Sequence, residues 1–206
     1  MSDTTAAGVV LAGGRSTRMG TDKATLTWAD GTLLDHVVGV LTEAVAGPVV
    51  VVGFARPVHA GRVIAVPDDE PGRGPLQGIA TGLTTAGRAG CDVAFLCSVD
   101  LPLLHAAYVA AVLGSLGDAE VALPVLDGHR QPLAAAYRTA LGPRASDLLA
   151  AGARRPAELF AVSAVRELSA SDLLADPALR AVDPDLEAVR DVDTPEEYAA
   201  ARDRRR

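Results

Sequence analysis

The chain has 206 residues, of which 49% are hydrophobic and 22% charged, with a formal net charge of −7. That length supports one domain over residues 1–206, and the acidic balance argues against a general nucleic-acid binder, which needs a basic surface. Two cysteines, Cys91 and Cys97, and the scattered histidines His36, His59, His105 and His129 give neither a disulfide framework nor zinc-ligand spacing.

Gly8 to Leu11 is an all-apolar run, the pattern of a strand covered on both faces. It leads into Leu-Ala-Gly-Gly-Arg-Ser-Thr-Arg-Met-Gly-Thr-Asp-Lys, residues Leu11 to Lys23. Adjacent Gly13 and Gly14 let backbone N–H groups approach a ligand closely, and Arg15, Arg18 and Lys23 put three cations in the same loop. Glycine amides backed by guanidinium and ammonium groups suit a polyphosphate. A solvated strand-to-helix turn is the plainer reading, and the coincidence of glycines with cations speaks against it. Two familiar fingerprints do not apply. Gly20 is followed by Thr21, Asp22 and only then Lys23, which breaks the P-loop order Gly-Lys-Ser/Thr. Adjacent glycines also break the dinucleotide spacing Gly-x-Gly-x-x-Gly.

Further along, Asp30-Gly31 marks a turn, and Leu34, Val37, Val38, Leu41 and Val45 share one stripe of a helix from about Thr32 to Ala46. Val37 to Phe54 is the most apolar long stretch, but Glu43, Gly47 and Pro48 interrupt it, so no membrane span is expected. No basic-then-apolar leader is visible, and a cytoplasmic protein is expected. Val49–Val52 and Arg62–Val66 read as strands. A proline- and glycine-rich loop from Pro67 to Pro75 precedes a helix from Leu76. Val93 to Cys97 is a strongly apolar strand that ends in Ser98-Val99-Asp100-Leu101-Pro102, and Cys97 reads as a small buried side chain. A helix follows from about His105 to Leu116.

Val121–Val125, the turn Asp127-Gly128 and a returning strand Leu133–Tyr137 predict an antiparallel hairpin. Helices are expected over Ala140–Ala151 and Pro156–Phe160, and late strands over Val165–Leu168 and Glu187–Val192. Thr194-Pro195-Glu196-Glu197 is a helix start, with threonine as cap, proline first and glutamate three residues after the cap. Alternating strands and helices predict an α/β fold of three layers, α/β/α, with a mostly parallel sheet and an antiparallel hairpin strand.

In such sheets the ligand sits beyond the carboxyl ends of the strands. The unusual loops here all follow strands: Leu11–Lys23, Asp68–Gly78, Ser98–Pro102 and Asp191–Pro195. Asp100 ends a buried strand, so its carboxylate projects onto that rim. Magnesium needs only one or two protein carboxylates and takes its other ligands from water and phosphate, so Asp100 is the candidate metal ligand. A helix cap is the plainer role for the same residue.

The string Leu-Ala-Gly-Gly-x-Ser-x-Arg-Met-Gly-x-Asp-Lys resembles the signature loop of nucleotidyltransferases that activate sugars and cofactors, and in particular that of the molybdenum cofactor guanylyltransferase family. Leu11, Ala12, Gly13, Gly14, Arg15 and Lys23 fall on its nucleotide-binding loop. Asp100-Leu101-Pro102 resembles the family's Asp-x-Pro, whose Asp is a magnesium ligand. Asp69 and Gly78 fall on a second motif, Asp-x-Pro-Gly-x-Gly-Pro-Leu-x-Gly, which lies against the nucleoside. The resemblance implies that Asp69 reads the two N–H donors of guanine and that Gly78 lets its helix come close to the nucleotide. Asp191-Val192-Asp193-Thr194-Pro195 resembles the closing Asn-x-Asn-Thr-Pro motif on the acceptor side. It carries Asp at both Asn places, as related cytidylyltransferases do, and Asp only accepts where Asn also donates.

Together these motifs imply a Rossmann-like nucleotidyltransferase fold and Mg2+ as cofactor. They imply transfer of GMP from GTP to Mo-molybdopterin, with Arg18, Lys23 and Asp100 as catalytic residues. The partners implied are these small molecules, with transient contact to a molybdopterin-supplying protein or a recipient molybdoenzyme. Alternatives are a molybdopterin cytidylyltransferase, a sugar-phosphate nucleotidyltransferase, and a nucleotide-binding module without catalysis.

Overall fold

A computed structural model describes residues 5–13, 23–54, 61–67 and 74–204. The chain enters as β1 (Ala6–Leu11), and a short hairpin of β2 (Thr27–Trp28) and β3 (Gly31–Thr32) leads into α1 (Leu33–Ala44). Thr32 caps α1. Its hydroxyl accepts the Asp35 N–H at 3.1 Å, and the Asp35 carboxylate accepts the Thr32 N–H at 3.0 Å. Next come β4 (Val49–Val52), β5 (Val63–Val66), α2 (Pro75–Arg88), β6 (Val93–Ser98) and α3 (Ala106–Gly114). Proline at the first position of α2 needs no N–H partner there.

The second half runs β7 (Val121–Leu126), β8 (His129–Arg130), β9 (Ala134–Arg138), α4 (Leu141–Ala150) and α5 (Pro156–Phe160). It continues with β10 (Val165–Leu168), α6 (Ala170–Leu173), α7 (Pro177–Val182) and α8 (Pro195–Arg204). The predicted turn at Asp127-Gly128 has both residues at positive φ, 50° and 76°, and joins β7 to the short β8. The returning strand β9 sits between β6 and β7, antiparallel to both.

The sheet order is β10-β7-β9-β6-β1-β4-β5, with β8 beside β7. β1, β4, β5 and β6 pair in parallel, as do β7 and β10. Side chains alternate across it. Ala7, Val9, Leu11, Val50, Val52, Ala94 and Leu96 pack under α2, α4 and α5. Val10, Val49, Val51, Phe95 and Cys97 pack under α1 and α3, together with Leu173, Leu179, Ala188, Val192 and Ala201. The three-layer fold with a mostly parallel sheet forms as expected.

One expected strand does not form. Residues 187–189 make a single 3-10 turn instead. Leu186 stands at φ 52°, and the buried Asp183 carboxylate accepts the N–H groups of Glu187 at 2.8 Å and Ala188 at 2.9 Å. Two amides that a strand would give to a ladder are held by one side chain, which turns the chain toward α8. Among the described residues no helix is long and apolar enough to cross a membrane.

From β1 the chain moves outward through β4 to β5, then returns to the other side of β1 as β6. The crevice at that reversal lies beyond the carboxyl ends of β1 and β6, next to Gly13 and Asp100.

Close packing between α2 and α4 sets one stability expectation. A Cβ on Gly142 would stand 2.7 Å from the Thr84 backbone nitrogen, whereas a Cβ on exposed Gly39 of α1 meets nothing within 4 Å. Gly39→Ala gains about 1 kcal/mol from helix propensity. Gly142→Ala loses stability, because overpacking of about 1–3 kcal/mol exceeds the same gain. Urea unfolding midpoints check this; a gain at both positions would contradict it.

Candidate active site

The site is assembled from three stretches far apart in sequence. Lys23 opens a 3-10 turn, Lys23–Thr25, anchored by the fully buried Ala24. Asp100 lies two residues past the end of β6, after the buried Val99. Asp191 and Asp193 precede α8, on either side of Val192, which is 1% exposed. That alternation sinks the valine into the core and leaves both acids outward. The Val192 N–H donates to the Asp100 carbonyl at 3.0 Å, which fixes this segment to the end of β6.

Lys23 Nζ donates to Asp193 Oδ1 at 2.7 Å and to Asp100 Oδ2 at 3.3 Å. Its side chain is 13% exposed, so the ammonium is largely withdrawn from water. Burial alone lowers a lysine pKa. The hydrogen bond to Asp193 and the charges of Asp100 and Asp193 outweigh it and hold Lys23 above its ordinary value. Asp191 is pushed the other way for an acid. Burial first, then repulsion from Asp100 and Asp193, raises its carboxyl above the usual range, against a smaller pull from Lys23.

The start of α8 forms as the sequence predicts. Glu197 Oε2 accepts the N–H groups of Asp193 at 2.8 Å and Thr194 at 2.9 Å, and the Glu197 N–H donates to Thr194 Oγ1 at 3.2 Å. The cap holds the backbone that carries Asp193.

The structure thus brings together Lys23, Asp100, Asp191 and Asp193. Gly13 is exposed beyond β1 on the same rim. Gly14, Arg15, Arg18 and Asp69 lie outside the described residues.

Three further candidate positions have packing roles in the fold. Leu11 is 8% exposed with its side chain in the core, and its carbonyl accepts the Val99 N–H at 3.1 Å. Ala12 is 6% exposed, and its N–H donates to the Val52 carbonyl at 2.9 Å. These groups continue the sheet. Gly78 makes its close approach to β1: a Cβ there would stand 3.0 Å from Leu11 Cδ1. Its role in this structure is to seat α2 on the strand. Cys91 and Cys97 are free and buried, and burial pushes both thiols up, so they are inert packing groups.

Trp28, His36 and Tyr198 meet as tilted rings near the Lys23 turn. No motif marks them. The only hint is that one of the chain's three tyrosines and its single tryptophan flank the two ends of the site segments.

Among the described residues, no group of three His, Cys, Asp or Glu side chains is arranged to hold a metal ion unaided. The donors nonetheless suit a magnesium ion bound with nucleotide. Asp100 and Asp193 offer hard carboxylate oxygens at one point, and phosphate and water supply the rest.

A lysine between carboxylates, at the switch point of a mostly parallel sheet, marks the ligand-binding crevice of an α/β fold. The family assignment is more specific. The model of the MobA-like NTP transferase domain matches residues 8–167. The chain is 43% identical over 161 residues to a "probable molybdenum cofactor guanylyltransferase" of Mycobacterium tuberculosis (strain ATCC 25618 / H37Rv), covering 76% of this chain and 80% of that one. In fold it is similar to molybdopterin-guanine dinucleotide biosynthesis protein A from Archaeoglobus fulgidus, with a TM-score of 0.71, 18% identity, and 96% and 97% of the two chains covered. It is similar also to 2-C-methyl-D-erythritol 4-phosphate cytidylyltransferase from Thermus thermophilus, with a TM-score of 0.67, 17% identity, and 96% and 97% covered. The chain belongs to the MobA-like NTP transferase family and is a nucleotidyltransferase.

The opposed charges around Asp191 give a direct check. Asp193→Asn removes one repelling charge, so the Asp191 carboxyl titrates lower in that variant. Lys23→Met removes the opposing attraction, so it titrates higher. Carbon-detected NMR titration of Asp191 reads both, and shifts of the same sign would contradict the geometry.

Proposed function

We propose that this chain transfers GMP from GTP to Mo-molybdopterin, releasing pyrophosphate and forming molybdopterin guanine dinucleotide. The observation that carries the reading is the Lys23–Asp100–Asp193 cluster at the crevice between β1 and β6. Membership of the family and the 43% identical mycobacterial relative support guanine and the pterin acceptor.

The chemistry needs no protein nucleophile. An oxygen of the acceptor phosphate attacks the α-phosphorus, a new P–O bond forms, and the bond to the β-phosphate bridging oxygen breaks. Catalysis is then positioning and charge neutralisation. Gly13 and Gly14 amides hold phosphate oxygens, and Lys23 with Arg15 and Arg18 balances charge on the triphosphate and the leaving group. Asp69 reads the guanine edge, and Asp191 and Asp193 face the acceptor. Asp100, with Asp193 beside it, would hold Mg2+, which supplies Lewis-acid polarisation of the α-phosphoryl group.

Lys23 bridges the Asp100 and Asp193 carboxylates and balances one of their two charges. A triphosphate offers the same ammonium a competing anion, and a metal ion offers the carboxylates a competing cation. The reaction is placed in the cytoplasm within a single domain, with the pterin passed in from a supplying protein and the product passed to a recipient molybdoenzyme. The free cysteines are in keeping with a reducing compartment.

Asp at positions 191 and 193 favours a second reading, cytidyl transfer to the same acceptor. Transfer assays with GTP or CTP, Mg2+ and molybdopterin decide between them. Dinucleotide and pyrophosphate form with GTP; product with CTP alone would overturn the guanylyl assignment, and product with neither would leave a binding module. Lys23→Ala slows GMP transfer on the order of 100-fold and raises the GTP concentration required. Wild-type kinetics in that variant would remove Lys23 from the mechanism.

A further inference from the structure

The three polar segments of the site are joined on their buried side by an aromatic cluster that no motif announces. Trp28, 1% exposed, lies five residues after Lys23. Its ring centroid lies 5.7 Å from that of His36 on α1 and 5.8 Å from that of Tyr198 on α8. Each neighbour then reaches a different site segment. His36 Nε2–H donates to the carbonyl of Pro102 at 3.0 Å, and a carbonyl can only accept, which fixes the donor. Pro102 is buried and lies two residues after Asp100. The Tyr198 hydroxyl donates to the Thr27 carbonyl, and the Tyr198 N–H donates to the Thr194 carbonyl at 3.0 Å, in the turn next to Asp193. The Arg202 guanidinium stands 5.9 Å over the outer side of the Tyr198 ring.

The same joint is closed from the Lys23 side. The Leu26 N–H donates to the Lys23 carbonyl at 3.2 Å, and the Leu33 N–H at the start of α1 donates to the Leu26 carbonyl at 2.8 Å. The Lys23 turn is therefore tied to the helix that carries His36. Pro102 lies past the end of β6, outside the sheet ladder, so strand pairing does not fix its carbonyl. The imidazole does that instead.

From these contacts we infer that Trp28, His36 and Tyr198 form one joint that sets the separation of Lys23 from Asp100 and Asp193. His36 is a positioning residue for the transfer reaction: it touches no reacting atom and acts through Pro102 on the carboxylate at Asp100. The joint also couples the site to the chain's only tryptophan, so Trp28 emission reports on it. The kinetic arm of the test rests on the transferase reading; the fluorescence arm does not.

His36→Phe keeps a ring against Trp28 and removes the N–H donor to Pro102. His36→Gln restores a donor without the imidazole ring. In His36→Phe, kcat for GMP transfer falls on the order of 10- to 100-fold, as expected for a small misplacement of reacting groups, while the KM for GTP stays at the wild-type value. His36→Gln recovers part of the lost kcat. In the wild type, GTP with Mg2+ shifts Trp28 emission, and in His36→Phe that shift is lost although calorimetry gives the same GTP affinity. Tyr198→Phe, which loses the donor to Thr27, serves where His36→Phe does not fold, and it too lowers kcat at unchanged KM. Wild-type kcat in the folded variants, or a loss that His36→Gln does not lessen, overturns the inference. Trp28 emission unmoved in the wild type while calorimetry shows GTP bound overturns it as well. An intact emission shift without any GMP transfer supports the joint and counts against guanylyl transfer.

Discussion

The site depends on how like charges are held together. Asp100, Asp191 and Asp193 converge on one rim of a chain that is already acidic, and burial first, then repulsion from its two neighbours, raises the Asp191 carboxyl above the usual range. One buried ammonium makes the arrangement tenable. Lys23 reaches Asp193 at 2.7 Å and Asp100 at 3.3 Å, and its own proton is held more tightly for it. A cluster of this kind is poised for ligands that carry both signs. A metal–triphosphate complex brings a cation for the carboxylates and an anion for the lysine, so neither is left buried and unpaired.

The fold supplies this arrangement through rigid elements. β1 and β6 are paired along their whole length, and the crevice opens where the chain reverses its path across the sheet. Asp193 is fixed from two directions, by the Glu197 cap on its backbone and by the Val192 N–H bond to the Asp100 carbonyl next door. The Asp at position 193, where the family motif carries Asn, also acquires a physical meaning. An amide there would hydrogen-bond Lys23 without a charge; a carboxylate adds a second and closer countercharge, 2.7 Å from the ammonium.

Much of this was legible in the sequence because local rules and tertiary structure agree. The unbroken apolar runs of β1, β4 and β6 predict a parallel sheet covered on both faces, and that sheet places Gly13 and Asp100 on one rim. The Thr194-Pro195-Glu197 cap is purely local, and it forms as written. What failed had a tertiary cause. Val189 and Val192 suit a strand, yet the Asp183 carboxylate takes the amides of Glu187 and Ala188 from within the core. Leu11, Ala12 and Gly78 stand in ligand-binding motifs, and they also pack against β6, β4 and each other, which the motifs do not announce. The direct pairing of Lys23 with Asp193 spans 170 residues, and the Trp28–His36–Tyr198 joint has no spacing rule at all. Neither is visible until the chain is folded.

The central claim is that the Lys23–Asp100–Asp193 cluster is the centre of nucleotidyl transfer. It is tested most directly by incubating wild type and Asp100→Ala with GTP labelled at its α-phosphorus, Mg2+ and molybdopterin, and following the label. The account predicts that wild type moves the label into the pterin product while Asp100→Ala, folded and still able to bind GTP, moves none. Label transferred by Asp100→Ala at the wild-type rate would contradict it.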